Sequence, residues 1–347
     1  VRMKGRFFFV LLAVFAVILS GCNWLAGNKE SIDPPQSVTY EDDLEGTDGG
    51  TSSEETAENT VQTELYLIDK NGYVVPRTFS LPNTQGVAAQ ALEYLVAGGP
   101  VSERLPQDFR AVLPPGTEFS VDVRDGIATV DFSKEFSGYA PEDEQRIVQA
   151  VTWTLTQFDS IKGVKLRLNG KDLSEMPVDK TPLPDVLTRK SGINLEQPDV
   201  VDIANTKPVT LYYIAQTDHD SYYVPVTKRV KGTEEDLAAR VVEELIKGPA
   251  YDSKLFSLFN PDARLVEEPK IEDGVVTLNF NENILGSYDK KLINENLLNM
   301  IVLSLTELDG IEGVSVEVNG DKNLVDEEGK NLTEPVSRPK KVNASGF

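Results

Sequence analysis

Val121-Asp122-Val123-Arg124-Asp125-Gly126-Ile127-Ala128-Thr129-Val130-Asp131-Phe132 consists of two alternating runs joined by Asp-Gly, the strongest short-range signal for a tight type I′ hairpin. Phe119, Val121 and Val123 therefore share one face of the first strand, and Ala128, Val130 and Phe132 share one face of the second. The next stretch predicts a helix. Pro141 stands near its first turn, Glu142, Asp143 and Glu144 complement the positive end of its dipole, and Ile147, Val148, Val151, Leu155 and Phe158 form one stripe. It ends at Gly163, and Val164 to Leu168 reads as a further strand before Asn169-Gly170.

About 150 positions later the same grammar returns. Asp273-Gly274 is followed by Val276, Leu278 and Phe280, by a helix bearing Leu297, Leu298, Ile301, Leu305 and Leu308, and by Gly313-Val314 and Asn319-Gly320. Upstream, Leu65-Tyr66-Leu67-Ile68 matches Leu211-Tyr212-Tyr213-Ile214, and Tyr73-Val74-Val75-Pro76 matches Tyr222-Tyr223-Val224-Pro225. The helix from Ala88 to Leu95, with Thr84 before it, matches one from Ala238 to Leu245, which Thr233 and Asp236 start as a capping box. Solenoid repeats run to roughly 20 to 50 residues, so a period this long means two duplicated domains. Each reads roughly ββα-ββα-ββ. The expected fold class is α+β: two tandem repeats, each a small mixed or antiparallel sheet with two helices packed on one face.

The chain has 347 residues and a net charge of −22, long enough for two domains of about 115 residues plus an anchor and linkers. An acidic surface of this kind repels phosphate backbones and argues against nucleic-acid binding. Residues 1–21 have a basic start and an apolar core from Phe7 to Leu19, too short to span a membrane, which takes about 20 residues. This is the grammar of a secretory signal. Leu19-Ser20-Gly21-Cys22 has the form of a lipobox, with lipidation at Cys22, the chain's single cysteine. Residues 22–62 then read as the lipidated cysteine and a disordered acidic stalk. A coil of that length spans roughly 35 Å and stands the folded part off the membrane. The first domain is expected over 63–176, a Pro-rich, semi-rigid linker over 177–208, the second domain over 209–334 and a C-terminal tail over 335–347.

The usual catalytic patterns are missing. The sequence carries neither a P-loop nor a dinucleotide fingerprint. One histidine, His219, in a polar turn, and one cysteine exclude a His- or Cys-based metal cluster within one chain. The expectation is no catalytic residue, metal or cofactor, and no small-molecule substrate. Tyr66, Tyr73, Tyr212, Tyr213, Tyr222 and Tyr223 gather in the two first hairpins, either as an aromatic platform for sugar or protein or as cross-strand packing. The loops after each first helix carry Leu105, Phe109 and Arg110 and Phe256, Leu258 and Phe259. These six are the candidate partner-binding residues, the alternative being that they plug the sheet edge beneath them.

The lipobox, the acidic stalk and the two repeats together resemble the GerMN-domain lipoproteins of sporulation and spore germination in endospore-forming bacilli. The stretches that carry the resemblance are Leu65 to Val75, Ala91 to Val96 with Gly98-Gly99-Pro100, Val151 to Phe158, Tyr222 to Arg229 and Thr333 to Pro339. The resemblance implies two GerMN domains, similar in layout to the ring-building modules of secretion-like machines. It implies a non-enzymatic, acylated (palmitate-bearing) protein on the outer face of the cell membrane, between mother cell and forespore. Its role would be assembly or scaffolding of the envelope channel complex, with protein partners. The alternative is a lipoprotein that binds or modifies cortex peptidoglycan. Val1 departs from a methionine start, with Met3 close behind.

Overall fold

A computed structural model describes residues 60–196, 205–217, 220–233 and 235–344. The leader, Cys22, the stalk up to residue 59 and His219 lie outside the described residues.

The first repeat opens with β1 (Thr60–Asp69) and β2 (Val74–Pro82), antiparallel with Leu67 opposite Val75. The turn between them is held by the Asp69 carboxylate, which accepts from the Asn71 and Tyr73 amides at 2.8 Å each. After α1 (Val87–Glu93), the short β3 (Phe109–Arg110) pairs with the other side of β1. The quoted hairpin forms in the expected register. β4 (Phe119–Arg124) and β5 (Ile127–Phe132) place Val121 opposite Val130, and Asp125 and Gly126 take the positive φ values of 52° and 75° that a type I′ turn requires. α2 (Glu144–Leu155) then crosses over to β6 (Gly163–Leu168), parallel to β5, and β7 (Lys171–Asp172) closes the edge.

The second repeat runs β8 (Thr206–Gln216), β9 (Ser221–Lys231), α3 (Leu237–Lys247), β10 (Leu255–Phe256), β11 (Lys270–Glu272), β12 (Val275–Phe280), α4 (Glu295–Leu305), β13 (Gly313–Val318) and β14 (Val336–Ser337). Asp273 and Gly274 repeat the turn with φ of 48° and 78°. The fold is α+β in two tandem repeats, and the strands of each divide between a three-stranded and a four-stranded sheet, β2-β1-β3 with β4-β5-β6-β7 and β10-β8-β9 with β11-β12-β13-β14.

The long helices lie between these sheets, α2 against β1 and β6, α4 against β8 and β13. The sequence of α4 explains the position. Leu297, Leu298, Met300, Ile301, Val302, Leu303 and Leu305 are all buried, and they cover most of its circumference, so the helix needs apolar cover on both sides. Ser304, also buried, meets the polar requirement of that packing by receiving the Tyr212 amide at 2.9 Å, as Thr154 of α2 receives the Tyr66 amide at 3.1 Å.

Two expected boundaries change. Much of the stretch read as a linker packs into the body: Ile193 is fully buried, and Leu187 bonds Val164 through both amide and carbonyl at 2.8 and 2.9 Å. That is the place which β14 takes beside β13, Val336 opposite Val314. The stretch read as a tail therefore supplies a strand, and Val342 beyond it is 1% exposed. A single apolar cluster extends through both repeats. Among the described residues no helix is long and apolar enough to cross a membrane.

Candidate functional site

The richest concentration of specific polar geometry lies where the repeats meet. Asn194 and Asn343 occupy equivalent places, each just past the segment that pairs with β6 or β13, and both adopt positive φ, 46° and 51°. The Asn194 side chain accepts from the Val74 amide and donates to the Val74 and Pro225 carbonyls, at 2.8, 2.8 and 2.7 Å. The Asn343 side chain accepts from the Tyr223 amide and donates to the Tyr223 and Pro76 carbonyls, each at 2.8 Å. Val74 and Tyr223 correspond, as do Pro76 and Pro225, so one clamp is the other with the repeats interchanged.

The preceding residues continue the exchange. Ile193 donates its amide to the Thr227 hydroxyl and accepts from the Thr227 amide, both at 2.9 Å. Val342 does the same with Thr78 at 2.8 and 3.1 Å. Each repeat thus lays its own closing segment on the second strand of the other. These bonds satisfy backbone groups of β2 and β9 that would otherwise be buried and unpaired.

A charged group completes the junction. Glu307, with its side chain 8% exposed, receives Arg189 at 3.0 Å, Arg338 at 3.1 Å and the Tyr212 hydroxyl at 2.9 Å. Arg189 lies over the Trp153 ring at 4.4 Å and Arg338 over the Tyr212 ring at 5.4 Å. Burial alone would raise the Glu307 carboxyl, but the two guanidinium charges and the Tyr212 bond outweigh it and hold the group below its ordinary range. Beside this network a cleft of about 910 Å³ opens between the repeats, lined by Trp153, Arg189, Lys162, Lys207, Ile271 and Glu307 among others.

The candidate partner-binding residues separate. Phe109 is turned inward, 9% exposed, with its ring edge-on to Tyr222 at 5.0 Å and Arg77 over it at 4.8 Å. Phe259 is buried against Phe280. For these two the docking expectation gives way to the plug, since their apolar surface is already covered. Leu105 and Phe256 are half-buried on the core. Arg110 is ion-paired with Asp143 at 2.6 Å beside a depression of about 520 Å³. Leu258 remains, 36% exposed.

Of the two readings of the tyrosines, the structure has cross-strand packing. Tyr66, Tyr212, Tyr213 and Tyr222 are buried. The Tyr222 hydroxyl donates to the Asp69 carboxylate of the other repeat at 2.8 Å, so these rings are packing and junction, not an open face. Among the described residues no group of three His, Cys, Asp or Glu side chains is placed to hold a metal.

Sequence reasoning passed over the clamps. Their signal was present as Arg189 to Ile193-Asn194 and Arg338 to Val342-Asn343, an arginine followed four and five residues on by a β-branched residue and asparagine. It was obscured because one copy fell in the expected linker and the other in the expected tail.

Two α+β repeats that share a core and exchange their closing segments define a fused tandem-module protein. The chain belongs to the Germane family, sporulation and spore germination, which matches residues 64–174 and 210–324. It is 52% identical over 350 aligned positions to the spore germination protein GerM of Bacillus subtilis (strain 168), covering 96% of each chain. The solved tandem GerMN domains of the sporulation protein GerM from Bacillus subtilis share 55% identity and a TM-score of 0.78, covering 83% of this chain and all of that one. The solved first GerMN domain of the same protein is 64% identical over 38% of this chain and 99% of its own, with a TM-score of 0.37.

Proposed function

We propose that this chain is a lipid-anchored, non-enzymatic assembly protein that supports the envelope channel complex between mother cell and forespore. It is tethered through Cys22 to the outer face of the cell membrane and binds protein components of that complex. Family membership supports the setting in sporulation and germination. The observation that carries the scaffold reading is the pair of clamps at Asn194 and Asn343. Each asparagine bonds a strand of its own repeat twice and a carbonyl of the other repeat once, a bridge that holds the two modules in one relative orientation, which is what a scaffold needs in order to present two surfaces at a constant separation.

The test is made in sporulating cells of an endospore former that expresses the chain in place of its own relative. Wild type takes up an alkynyl fatty acid, crosslinks to envelope proteins and supports sporulation, whereas Cys22→Ala loses the label and the crosslinks. Label retained by Cys22→Ala, or full sporulation without any crosslinked partner, overturns the proposal.

A further inference from the structure

The four-stranded sheet of the first repeat ends on an open edge. β4 is its outermost strand, paired with β5 on one side and with no described strand on the other. Because a two-residue turn joins them, Arg124 and Ile127 form a hydrogen-bonded pair, and in alternation so do Asp122 with Thr129 and Ser120 with Asp131. The Ser133 amide, bonded to the Glu118 carbonyl at 2.8 Å, continues that alternation. The amides and carbonyls of Phe119, Val121 and Val123 therefore point away from β5, and among the described residues they have no hydrogen-bond partner.

The second repeat shuts the same edge. Counting back from the two Asp-Gly turns, Pro269 stands where β4 has Val121, and Lys270 where it has Asp122. β11 is only Lys270–Glu272, and Leu265 rather than Glu267 lies opposite Phe280, so extra residues interrupt the strand as a bulge does. Proline, lysine, a short strand and a bulge are devices that keep a sheet edge from pairing. β4 lacks the proline, the lysine and the bulge: its six residues, Phe119–Arg124, keep step with β5 from end to end.

The geometry points to a second copy of this chain as the occupant of that edge, its β4 laid antiparallel beside this one across a two-fold axis at Val121. In that register Val121 faces its own counterpart and Phe119 faces Val123, and each of these pairs exchanges both main-chain hydrogen bonds. Phe119, Val121 and Val123 are half-buried on the core side, and the pairing covers what they still expose. On the solvent face the exposed Glu118 comes opposite Arg124, whose side chain is 81% exposed, and Ser120 comes opposite Asp122. A slide of one residue would set the apolar face against the solvent face. A slide of two would set Asp122 against itself or Glu118 against Asp122, like charges in direct opposition. The strand thus fits its own reverse, which is what a two-fold contact demands and what selects a second copy over an unrelated strand. One strand pair is smaller than the about 1,200 Å² of a standard interface, so the association is weak and reversible. It does not depend on the scaffold proposal.

Sedimentation equilibrium of the full chain in density-matched detergent, over a wide range of concentration, tests the pairing. Wild type should pass from monomer to dimer and stop there, since the two-fold contact uses up the edge. Glu118→Arg sets two arginines against each other at both ends of the contact, and Arg124→Glu sets two glutamates. Each should weaken dimerisation about tenfold without altering the melting temperature, because both positions are exposed. The double variant, with the charges exchanged, should dimerise like wild type, and an equimolar mixture of the two single variants should form mixed pairs. Val121→Pro, which installs the residue of the second repeat, removes an outward amide, spares the bonds to β5 and should leave a folded monomer. Overturning results are a monomer at every concentration, a dimer that survives Val121→Pro, or a double variant that stays as weak as the single ones. A wild-type monomer that loses a crosslinked protein through Val121→Pro would give the edge to another protein's strand, and that too overturns the proposal.

Discussion

Glu307 stands where the first repeat has Gln157, and the difference turns a neutral contact into a buried charge. The Gln157 amide holds β1 by donating to the Glu64 carbonyl at 2.6 Å and accepting from its amide at 2.8 Å. Glu307 instead gathers Arg189 from the connecting segment and Arg338 from the closing one. Glu307→Gln, which borrows the residue of the first repeat, leaves two largely buried guanidinium groups without their shared counter-charge. Loss of one partner from such a pair costs about 3 kcal/mol, and thermal denaturation should show a melting temperature lower by roughly 6 to 12 °C. The folded pKa is depressed, so this contribution is present above the unfolded value near ~4.3 and disappears as pH falls through the folded one. The gap between wild type and variant should therefore be constant around neutrality and close in acid.

The clamps make a symmetry prediction. Asn194→Ala and Asn343→Ala each remove three bonds and force alanine into positive φ, so each should destabilise by about 2 to 3 kcal/mol in urea denaturation. Asn→Gly variants separate the two causes: they relieve the backbone and should recover about 1 kcal/mol. Because the two sites are twins, the losses should be alike. A loss confined to one of them would show that the interchange of repeats is geometric but not energetic.

Glu144 gives a second acid-sensitive group by another route. Its carboxylate accepts the amides of Val178, Asp179 and Thr181 and the Tyr139 hydroxyl, at 3.1, 2.8, 2.8 and 2.7 Å. Burial acts to raise its pKa, but these bonds outweigh it and bring the group down to about 2. Its stabilising contribution is complete above about pH 4.3 and fades as pH falls toward 2. Glu144→Gln should be less stable than wild type at pH 7, with the difference shrinking between pH 4 and pH 2.5. Equal stability at pH 7 would contradict the role given to the carboxylate.

The duplicated grammar was legible because it is local. Asp125-Gly126 and Asp273-Gly274 dictate their turns through backbone conformation alone, and the alternation beside them fixes which residues face the core. What escaped depends on the partner. The periodicity of α4 announces a helix, yet whether one or two sheets cover it is settled only by how much of its circumference is apolar. Asn194 and Asn343 sit in stretches of weak periodicity, where a polar residue reads as solvated. Their carbonyl partners, Pro225 and Pro76, belong to the opposite repeat and are about 31 and 267 positions away. Phe109 and Phe259 misled for a related reason: an aromatic residue in a loop has the same composition whether it docks a partner or closes its own sheet.

That last ambiguity now yields an experiment with opposed expectations. Phe109 is enclosed by Tyr222 and Arg77, so Phe109→Ser creates a cavity at the contact between repeats and should cost about 3 to 5 kcal/mol, the range for large aromatic truncations. Its effect on partner binding would then follow from unfolding and would say nothing about docking. Leu258 is the apolar candidate that keeps the most solvent contact, outside the buried core. Leu258→Glu should leave the melting temperature within about 1 °C of wild type, as surface substitutions generally do. If the loop from Pro249 to Arg264 meets a partner, this variant loses the crosslinks while keeping its fold. If Leu258→Glu retains them in full, the loop is a structural connection and the docking face lies elsewhere on the paired repeats.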